Sequence, residues 1–302
     1  MITTRKTVTP EQEISKAEIL IEALPYMQSY HDKTILIKFG GSAMDNPDLV
    51  VSLMRDIVVL KAMGMNIVVV HGGGKAISQA MAAAGLEARF VNGLRVTTPE
   101  AIGIVEKTLS DEINPDLVSM IRRHGGSAVG IPGTSVFVGE KLRERDAEGN
   151  RVDIGMVGRV IGCQLQRVEE ALSLHLIPVI SPLARELGTS QPLNVNADLA
   201  AAALARELKP VKLIYISDVP GLLLNPEDKT EIIESINRKE AFELIEQGVI
   251  SGGMIPKVTS AVDALNAGVR KVHFIDGRLP HTLLLEIFTP EGIGTEIVRE
   301  QR

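Results

Sequence analysis

The stretch Ile35-Leu-Ile-Lys-Phe-Gly-Gly-Ser-Ala-Met-Asp45 decides the fold of this 302-residue chain. Three apolar residues lead into Lys38, and two glycines follow before a helical pattern begins. A lysine near a core is unfavourable unless it meets an anion, and glycine lets backbone N–H groups approach a ligand. We therefore predict a buried strand that presents a cation and bare backbone amides to a phosphate.

The composition is typical of an ordinary soluble enzyme, with 45% hydrophobic and 23% charged residues. A net charge of −6 without a basic block argues against a nucleic-acid partner. The single Cys163 excludes an intrachain disulfide framework and a cysteine-rich metal site. The histidines show no zinc-ligand spacing. Because no leader segment or membrane span is apparent, we expect a cytoplasmic protein without a membrane partner.

Strand and helix patterns alternate on both sides of the opening stretch. Strands at 34–39 and 66–70 each run into a glycine loop and then a helix. This alternation predicts a parallel sheet with right-handed crossovers. We expect an α/β fold, a three-layer α/β/α sandwich around a mainly parallel central sheet, with two lobes and an extra N-terminal helix.

The remaining patterns divide the chain into three parts. Two helices are predicted at 99–109 and 113–124. Charged turn clusters between short β-like runs in 132–160 predict β-hairpins that project from the main sheet. The lobes divide near residues 180–190. We therefore expect an N-terminal helical segment (1–30) and two lobes, 31–185 and 186–302.

The N-terminal helix has Thr9 as its predicted N-cap and Pro10 at its first position. Pro25 is expected to end or kink it. Its apolar residues fall on one face at helical spacing: Ile14, Ala17, Leu20, Ile21 and Leu24. That face packs either on its own domain or against another subunit, and the local sequence does not decide between the two.

The second glycine loop, His71-Gly-Gly-Gly74, lies between a predicted strand and a predicted helix. Such a position suits anion binding at a helix N-terminus, although a tight turn is the alternative. The loop is neither a Walker A motif nor a dinucleotide fingerprint. Lys75, the next residue, is expected to be a surface residue rather than a ligand.

Three further polar positions are candidates for a site. Arg95, among apolar or small residues, either pairs with an acid or clamps a substrate carboxylate. Asn194 and Asn196 alternate on an extended stretch and could bind substrate. Asp198 is either an N-cap or a carboxylate that holds cationic side chains.

Lys257 is the second lysine that follows glycines at a predicted helix start. A cation is disfavoured there by the helix dipole, so either an anion lies nearby or the lysine extends to the surface. Two lysines, two glycine loops and an acid suggest phosphoryl transfer by positioning and charge neutralisation.

Taken together, six motifs resemble the acetylglutamate kinases of the amino acid kinase family. In chain order they are Ile37-Lys-Phe-Gly-Gly-Ser42, Val70-His-Gly-Gly-Gly74, Asn92-Gly-Leu-Arg-Val-Thr97, Asn194-Val-Asn-Ala-Asp198, Ser217-Asp-Val-Pro-Gly-Leu222 and Gly252-Gly-Met-Ile-Pro-Lys257. The resemblance implies phosphorylation of the side-chain carboxylate of N-acetyl-L-glutamate by ATP with Mg²⁺, in arginine biosynthesis.

By the same resemblance, residues 1–30 would be an oligomerisation helix, lobe 31–185 would bind the amino-acid substrate and dimerise, and lobe 186–302 would hold ATP and the arginine site. The resemblance also assigns roles to individual residues. Catalytic roles fall on Lys38, Lys257, Asp198, Gly41 and Gly73. Acetylglutamate would meet Gly72, Gly73, Arg95, Asn194 and Asn196. ATP would meet Lys38, Gly40, Ser217, Asp218, Gly221, Leu222, Gly253 and Lys257, and would carry the Mg²⁺ ion without protein metal ligands.

Arginine-inhibited members of the family carry a similar N-terminal helix, which links dimers into a hexameric ring. The resemblance therefore implies a homodimer or homohexamer with L-arginine as inhibitor. Arginine would bind at Tyr30, Lys212, His273, Glu286 and Gly292. Two other readings stay open: a carrier-linked aminoadipate or glutamate kinase of the same family, and a catalytically inactive arginine sensor.

Overall fold

An eight-stranded sheet forms the centre of the computed structural model, which describes residues 10–145, 149–225 and 231–299. The strands are β1 Thr34–Phe39, β2 Asn66–His71, β3 Phe90–Val91, β4 Leu94–Arg95, β5 Ala128–Ile131, β6 Phe137–Lys141, β7 Glu144–Arg145, β8 Arg151–Val152, β9 Gly158–Cys163, β10 Ile177–Ile180, β11 Leu183–Glu186, β12 Pro192–Asn194, β13 Lys212–Ser217, β14 Ser235–Asn237, β15 Lys271–Asp276 and β16 Thr295–Val298.

The α-helices of the described residues lie mostly between these strands. They are α1 Pro10–Tyr30, α2 Pro47–Ala62, α3 Gly74–Ala83, α4 Ala101–Glu106, α5 Asn114–Arg123, α6 Gln166–Ser173, α7 Ala197–Leu208, α8 Arg238–Glu246, α9 Met254–Ala267 and α10 Thr282–Phe288. None of the helices in this part of the chain is long and apolar enough to cross a bilayer.

The strand order of the main sheet is β14-β16-β15-β13-β1-β2-β10-β5. The six strands from β15 to β5 run parallel, and β16 pairs antiparallel with β15. Helices cover both faces, so the predicted mainly parallel α/β fold is confirmed. In the region of the predicted β-hairpins, β7 pairs antiparallel with β8, and β6 pairs antiparallel with β9. The pair β6–β9 belongs to a second sheet, β12-β11-β6-β9, which β11 and β12 complete from later in the chain.

Strand β1 lies between β13 and β2 in the main sheet and is buried from its second residue onward. Successive side chains of a strand point to opposite faces. Ile35, Ile37 and Phe39 enter the core beneath α2 and α10, whereas Leu36 enters the core beneath α7 and α9. Lys38 therefore emerges on the α7 and α9 face, at the carboxyl end of the strand.

Two of the predicted helix boundaries are wrong. Helix α1 continues through Pro25 to Tyr30, so Pro25 does not end the helix, and the alternative that it kinks the helix stays a prediction. The helices predicted at 99–109 and 113–124 form one continuous helix, because a π-helical segment at Lys107–Ile113 joins α4 to α5. The Asn114 N–H bonds the Leu109 carbonyl five residues back, which is the π-helical pattern.

The apolar face predicted for α1 is exposed. Ile14, Leu20, Ile21 and Leu24 each keep about half or more of their surface accessible, and Ala23 is buried. The predicted N-cap, Thr9, lies outside the described residues. Helix α1 contacts α10 of the same chain, so this chain covers only a part of the helix.

Candidate active site

Asp198 lies between the two lysines that the glycine motifs singled out. Its Oδ1 is 2.7 Å from the Nζ of Lys38, and its Oδ2 is 3.8 Å from the Nζ of Lys257. The lysines come from β1 and α9, and the aspartate from the first turn of α7. Lys257 is therefore not a solvent-exposed surface lysine, and one carboxylate holds two cations from two directions.

The environment keeps Asp198 ionised. Burial by itself would raise the pKa of this carboxyl, but the charges and hydrogen bonds of Lys38 and Lys257 hold the pKa below its ordinary value. Asn196 is the N-cap of α7, since its Oδ1 accepts from the N–H groups of Asp198 and Leu199. The N-cap alternative for Asp198 is therefore wrong, and its carboxylate stays available to the lysines.

The two glycine loops touch each other back to back. A Cβ added to Gly72 would lie 3.1 Å from Gly40 Cα, and one added to Gly40 would lie 2.7 Å from Lys38 Nζ. The N–H of Gly72 donates to the carbonyl of Phe39 at 2.7 Å. A side chain at Gly72 would therefore push against the Gly40 backbone, whereas one at Gly40 would displace the Lys38 amine.

The third glycine of interest, Gly73, is closed in from the other side. A Cβ there would lie 2.6 Å from Ile113 Cδ1 and 2.7 Å from Leu109 Cδ2. Both neighbours belong to the π-helical segment. The widened helix thus lies against the loop that is predicted to supply N–H donors.

Arg95 is buried at the end of the β3–β4 hairpin. Its Nη2 donates to the Gly74 carbonyl at 2.6 Å and to Ser78 Oγ at 2.8 Å, and its guanidinium stacks over the Phe90 ring. Within the described residues no carboxylate pairs with it, so the acid-pair alternative is wrong. Burial lowers the pKa of Arg95 below its ordinary, very high value.

Asn194 is held in place by a short hydrogen-bond chain. Its Nδ2 donates to Thr97 Oγ1 at 3.0 Å, and the Thr97 hydroxyl donates to the Arg95 carbonyl at 3.0 Å. The Asn194 N–H also donates to the Met156 carbonyl at 2.8 Å. The chain joins two residues that were predicted separately to bind substrate.

These groups surround one cavity of about 390 Å³. Lys257 is outside its lining, which includes the other predicted catalytic and substrate-binding residues: Lys38, Gly41, Gly72, Gly73, Arg95, Asn194, Asn196 and Asp198. Lys75 also reaches its rim, but it is mostly exposed and its Nζ pairs with Asp45 at 3.2 Å. Two ammonium groups beside exposed backbone amides can stabilise an anion that gains charge during a reaction.

Of the residues predicted to bind ATP, only Lys38 lines this cavity, and the others lie at several places around it or within the fold. Lys38 and Lys257 meet at Asp198, and Gly253 is the exposed N-cap of α9. Ser217 is the last residue of β13 and pairs in register with Asp276 at the end of β15, and Asp218 follows it. Asp218 is exposed, and neither residue lines the 390 Å³ cavity.

Gly221 and Leu222 are buried in this structure. The Leu222 N–H donates to Thr295 Oγ1 at 2.8 Å, and its side chain joins the hydrophobic core. A Cβ on Gly221 would lie 2.6 Å from the same Thr295 oxygen. The predicted nucleotide loop is therefore anchored to the start of β16.

The residues predicted for arginine form a second cluster at the other end of the sheet. The Lys212 Nζ lies 5.3 Å from the centre of the Tyr30 ring. His273 Nδ1 is 2.5 Å from Glu286 Oε1, and Glu286 Oε2 accepts the N–H groups of Ile293 and Gly294. A Cβ on Gly292 would meet the Glu286 carboxylate at 2.8 Å.

Burial sets the charges in this cluster. Burial lowers the pKa of Lys212 to about 8, although Glu286 and Glu296 oppose the shift. Burial, with Lys212, lowers the pKa of His273, whereas the His273 hydrogen bond holds the pKa of Glu286 below normal against burial. A neutral His273 that donates from Nδ1 to an ionised Glu286 agrees with the lowered pKa of both side chains.

A cavity of about 1120 Å³ opens beside this cluster and is lined by Tyr30 and Lys212. The other charged residues of its lining are mostly cationic: Lys33, Arg238, Arg270, Lys271, Arg299 and Glu296. Glu296 Oε2 pairs with Lys271 Nζ at 2.5 Å. The cavity thus carries an excess of positive charge, which suits a carboxylate.

Sequence reasoning missed four residues that support the site: His71, Ser78, Thr97 and Asn114. Thr97 lies two residues after Arg95 on an extended stretch, so strand periodicity could have found it. Ser78 lies one helical turn after Gly74. His71 and Asn114 are distant in sequence, and no local signal pairs them.

Comparisons with known proteins agree with the geometry. Residues 33–276 match the amino acid kinase family. The chain is 70% identical over 289 residues to an acetylglutamate kinase of Akkermansia muciniphila, covering 96% of this chain and 97% of that protein. It is 44% identical to an acetylglutamate kinase of Aquifex aeolicus, covering 95% and 99%.

One solved structure extends the comparison to the fold. N-acetylglutamate synthase from Neisseria gonorrhoeae, complexed with coenzyme A and N-acetyl-glutamate, superposes with a TM-score of 0.82 at 23% identity. The match covers 95% of this chain and 64% of the synthase chain. Because the family model matches residues 33–276 and the relatives align over nearly their whole length, this chain belongs to the amino acid kinase family, among its acetylglutamate kinases.

Proposed function

We propose that this protein transfers the γ-phosphoryl group of ATP to the side-chain carboxylate of N-acetyl-L-glutamate, forming N-acetyl-L-glutamyl 5-phosphate in arginine biosynthesis. The observation that carries the proposal is the bridge from Asp198 to both lysines at the cavity that Arg95 and Asn194 line. The relatives named acetylglutamate kinase support the choice of substrate.

The chemistry requires little from the protein beyond placement and charge. A carboxylate oxygen of the substrate attacks the γ-phosphorus, the bond to the bridging oxygen breaks, and ADP leaves. The attacking carboxylate is already ionised at neutral pH, so no general base is needed. Lys38 and Lys257 would stabilise the charge on the transferring group, and Asp198 would orient both amines.

Backbone amides complete the proposed phosphoryl site. Gly41 and Gly73 line the same cavity as Lys38, and Gly40 lies so close to the Lys38 amine that a Cβ there would be 2.7 Å from Nζ. Their N–H groups would donate to oxygens of the transferring group, as in other sites that stabilise developing anions. Mg²⁺ would be held by the phosphates of ATP and would offset part of their charge there.

The substrate side of the cavity offers a cation and two amides. Arg95 would bind a carboxylate of acetylglutamate, because its fork is already oriented by Gly74 and Ser78. Asn194 would offer its carbonyl oxygen and its remaining Nδ2 hydrogen, since one hydrogen of Nδ2 is donated to Thr97. Asn196 has its oxygen engaged as a cap, so it would offer only its amide nitrogen, and Gly72 would offer close backbone contact.

On the nucleotide side, we infer that Ser217 and Asp218 meet ATP at the carboxyl ends of β13 and β15. Open α/β sheets bind ligands at this edge. Gly253 would bring the α9 N-terminus to the phosphates. Gly221 and Leu222 would hold the loop in place from within the fold, because both are buried.

A hydroxylamine assay tests the proposal directly. The full-length protein is mixed with ATP, Mg²⁺ and N-acetyl-L-glutamate, and hydroxylamine converts any acyl phosphate into a measurable hydroxamate. We expect product with acetylglutamate and little with aminoadipate or unmodified glutamate. Absence of hydroxamate from a folded sample refutes the kinase, and binding without turnover identifies the inactive sensor instead. Turnover restricted to a carrier-linked acid identifies the carrier-dependent kinase.

We also propose that L-arginine inhibits this enzyme at the Tyr30–Lys212–Glu286 cluster. The five residues predicted to bind arginine lie in one cluster, and this proximity favours the second function. Lys212 would bind the α-carboxylate, and Glu286 would exchange its His273 contact for the guanidinium. The test is whether arginine raises the acetylglutamate concentration at half-maximal rate, with Lys212→Met as the insensitive variant.

The exposed face of α1 supports a third proposal, that copies of this chain assemble as a homodimer or, through α1, a homohexamer. Leu20 and Leu24 are exposed on a helix of 21 residues, and such faces are usually covered in an assembly. Light scattering should show a larger particle for the native chain than for the variant with Leu20→Asp and Leu24→Asp. Glu18→Gln, another change on α1, serves as the control.

A further inference from the structure

His71 is a fully buried histidine whose two ring nitrogens both have partners. Its Nδ1 lies 2.8 Å from the Gly72 carbonyl oxygen, and its Nε2 lies 3.2 Å from Asn114 Nδ2. A carbonyl oxygen can only accept, so Nδ1 must carry the proton. The second nitrogen is then free to accept from the Asn114 amide.

The orientation of Asn114 supports the same tautomer. Its Nδ2 also lies 2.9 Å from the carbonyl oxygen of Val179. If the amide were flipped, two oxygens would face each other, so the Val179 carbonyl fixes the nitrogen on this side. One NH₂ group therefore donates to both Val179 and His71.

The histidine thereby fixes the direction of a peptide group in the proposed phosphoryl site. The Gly72 carbonyl and the Gly73 N–H belong to one planar trans peptide, in which they point in opposite directions. Because the carbonyl is held by His71, the Gly73 N–H is directed away from His71. The preceding peptide is also fixed, because the Gly72 N–H donates to Phe39.

We propose that His71, oriented by Asn114, is a positioning residue that presets the Gly72–Gly73 peptide, so that the Gly73 N–H meets the anion formed during phosphoryl transfer. This inference rests on the proposed function for its readout of rate. Glycine has unusual backbone freedom, so a glycine loop needs such a partner to hold one conformation.

The surroundings keep His71 in one protonation state. Burial lowers its pKa to about 4, although the hydrogen bond to Gly72 opposes the shift. At neutral pH the ring therefore stays neutral with its proton on Nδ1. The peptide is held in the same way over the whole range in which such an enzyme is assayed.

Two variants separate positioning from simple packing. His71→Leu fills much of the space but cannot donate, and we expect kcat to fall about 10²-fold, the usual effect of losing one preset donor. The KM for ATP should change much less. His71→Asn places an amide nitrogen close to the position of Nδ1, and we expect it to retain most of the rate.

A spectroscopic measurement tests the geometry without using activity. The native protein, labelled with ¹⁵N in its histidines, should give a signal with protonated Nδ1 and unprotonated Nε2 that does not change from pH 8 to pH 5.5. The spectrum of His71→Asn assigns that signal, because one of the six histidines is then missing.

The outcomes distinguish this inference from the proposed function. If the native protein makes no hydroxamate, the kinase proposal fails, and the NMR signal still decides the geometry. A proton on Nε2, or a folded His71→Leu protein with native kcat, overturns the positioning role. If His71→Leu does not fold, a His71→Asn protein with native structure but strongly reduced kcat overturns it as well.

Discussion

The Nζ of Lys38 lies 2.7 Å from the Oδ1 of Asp198, and this ion pair joins the two halves of the chain. Lys38 ends a strand of the first half, and Asp198 begins a helix of the second. Both side chains are largely buried, so removing one partner leaves an uncompensated charge in the cleft. The charge of Lys38 is thus balanced by a residue that lies 160 positions later in the sequence.

Asp198→Asn should lower kcat by about 10²- to 10³-fold, the effect typical of disturbing preset charges in a site. The amide keeps the size of the side chain but no longer neutralises two ammonium groups, which would then move apart. Steady-state kinetics with both substrates, together with a thermal melt, check this. Asp263→Asn, at an exposed position of α9, is the matched control. A native kcat in folded Asp198→Asn protein contradicts the assigned role.

Gly40→Ala should lower kcat about 10²-fold, because a group displaced by about 1 Å has an effect of that order. The new methyl would lie 2.7 Å from Lys38 Nζ, so the flexible amine moves rather than the backbone. We therefore expect a nearly unchanged melting temperature. Gly103→Ala, in α4 where a Cβ meets nothing within 4 Å, should leave the rate unchanged. Equal effects of the two substitutions would argue against a displaced amine.

Arg95→Lys should raise the KM for acetylglutamate about 10- to 100-fold, which corresponds to losing one charged hydrogen bond. A lysine cannot both hold Gly74 and Ser78 and present a planar fork to a carboxylate. The KM for ATP should stay within a factor of about two if Arg95 acts only on the amino-acid side. Ser78→Ala, which removes one of the two groups that orient the fork, should give a smaller increase. A larger change in the KM for ATP would place Arg95 on the nucleotide.

The central sheet could be predicted because its signals are local. Three consecutive apolar residues indicate strand β1 in the sequence, and the following segment repeats the pattern of strand, glycine loop and helix. The joined helix at 101–123 could not be predicted in the same way. Its π-helical segment lies against Gly73, and that contact between distant parts of the chain is invisible in a local pattern.

The site was predictable where a residue type is unusual for its place. A lysine that ends a buried strand and an arginine among apolar residues both stand out in the sequence. Asn196 has a second role that the alternation did not indicate, because its side-chain oxygen caps α7, while its contact with substrate stays a prediction. His71 and Asn114 carry no local signal, since their pairing depends on the end of β2 meeting the start of α5.

Stability should depend on pH through His71. Its pKa is about 4 in the fold against an ordinary value of 6.5, so the unfolded chain binds a proton that the fold does not. The stabilisation by neutral His71 is complete above pH 6.5 and decreases as the pH falls towards 4, by on the order of 3 kcal/mol. Urea unfolding at several pH values measures this. In His71→Asn that part of the pH dependence should be absent, whereas an unchanged dependence would mean that other groups cause it.

Inhibition by arginine should weaken as the pH rises through the pKa of Lys212. Burial lowers that pKa from 10.5 to about 8, so the amine is charged below pH 8 and neutral above it. Only the ammonium form attracts the α-carboxylate of arginine, and we expect the half-inhibiting concentration to rise about tenfold for each pH unit above 8. Lys212→Arg stays charged and should remain sensitive at pH 9, while the titration of the α-amino group of arginine affects both proteins equally. If the native protein is inhibited equally at pH 7 and pH 9, Lys212 does not bind the carboxylate.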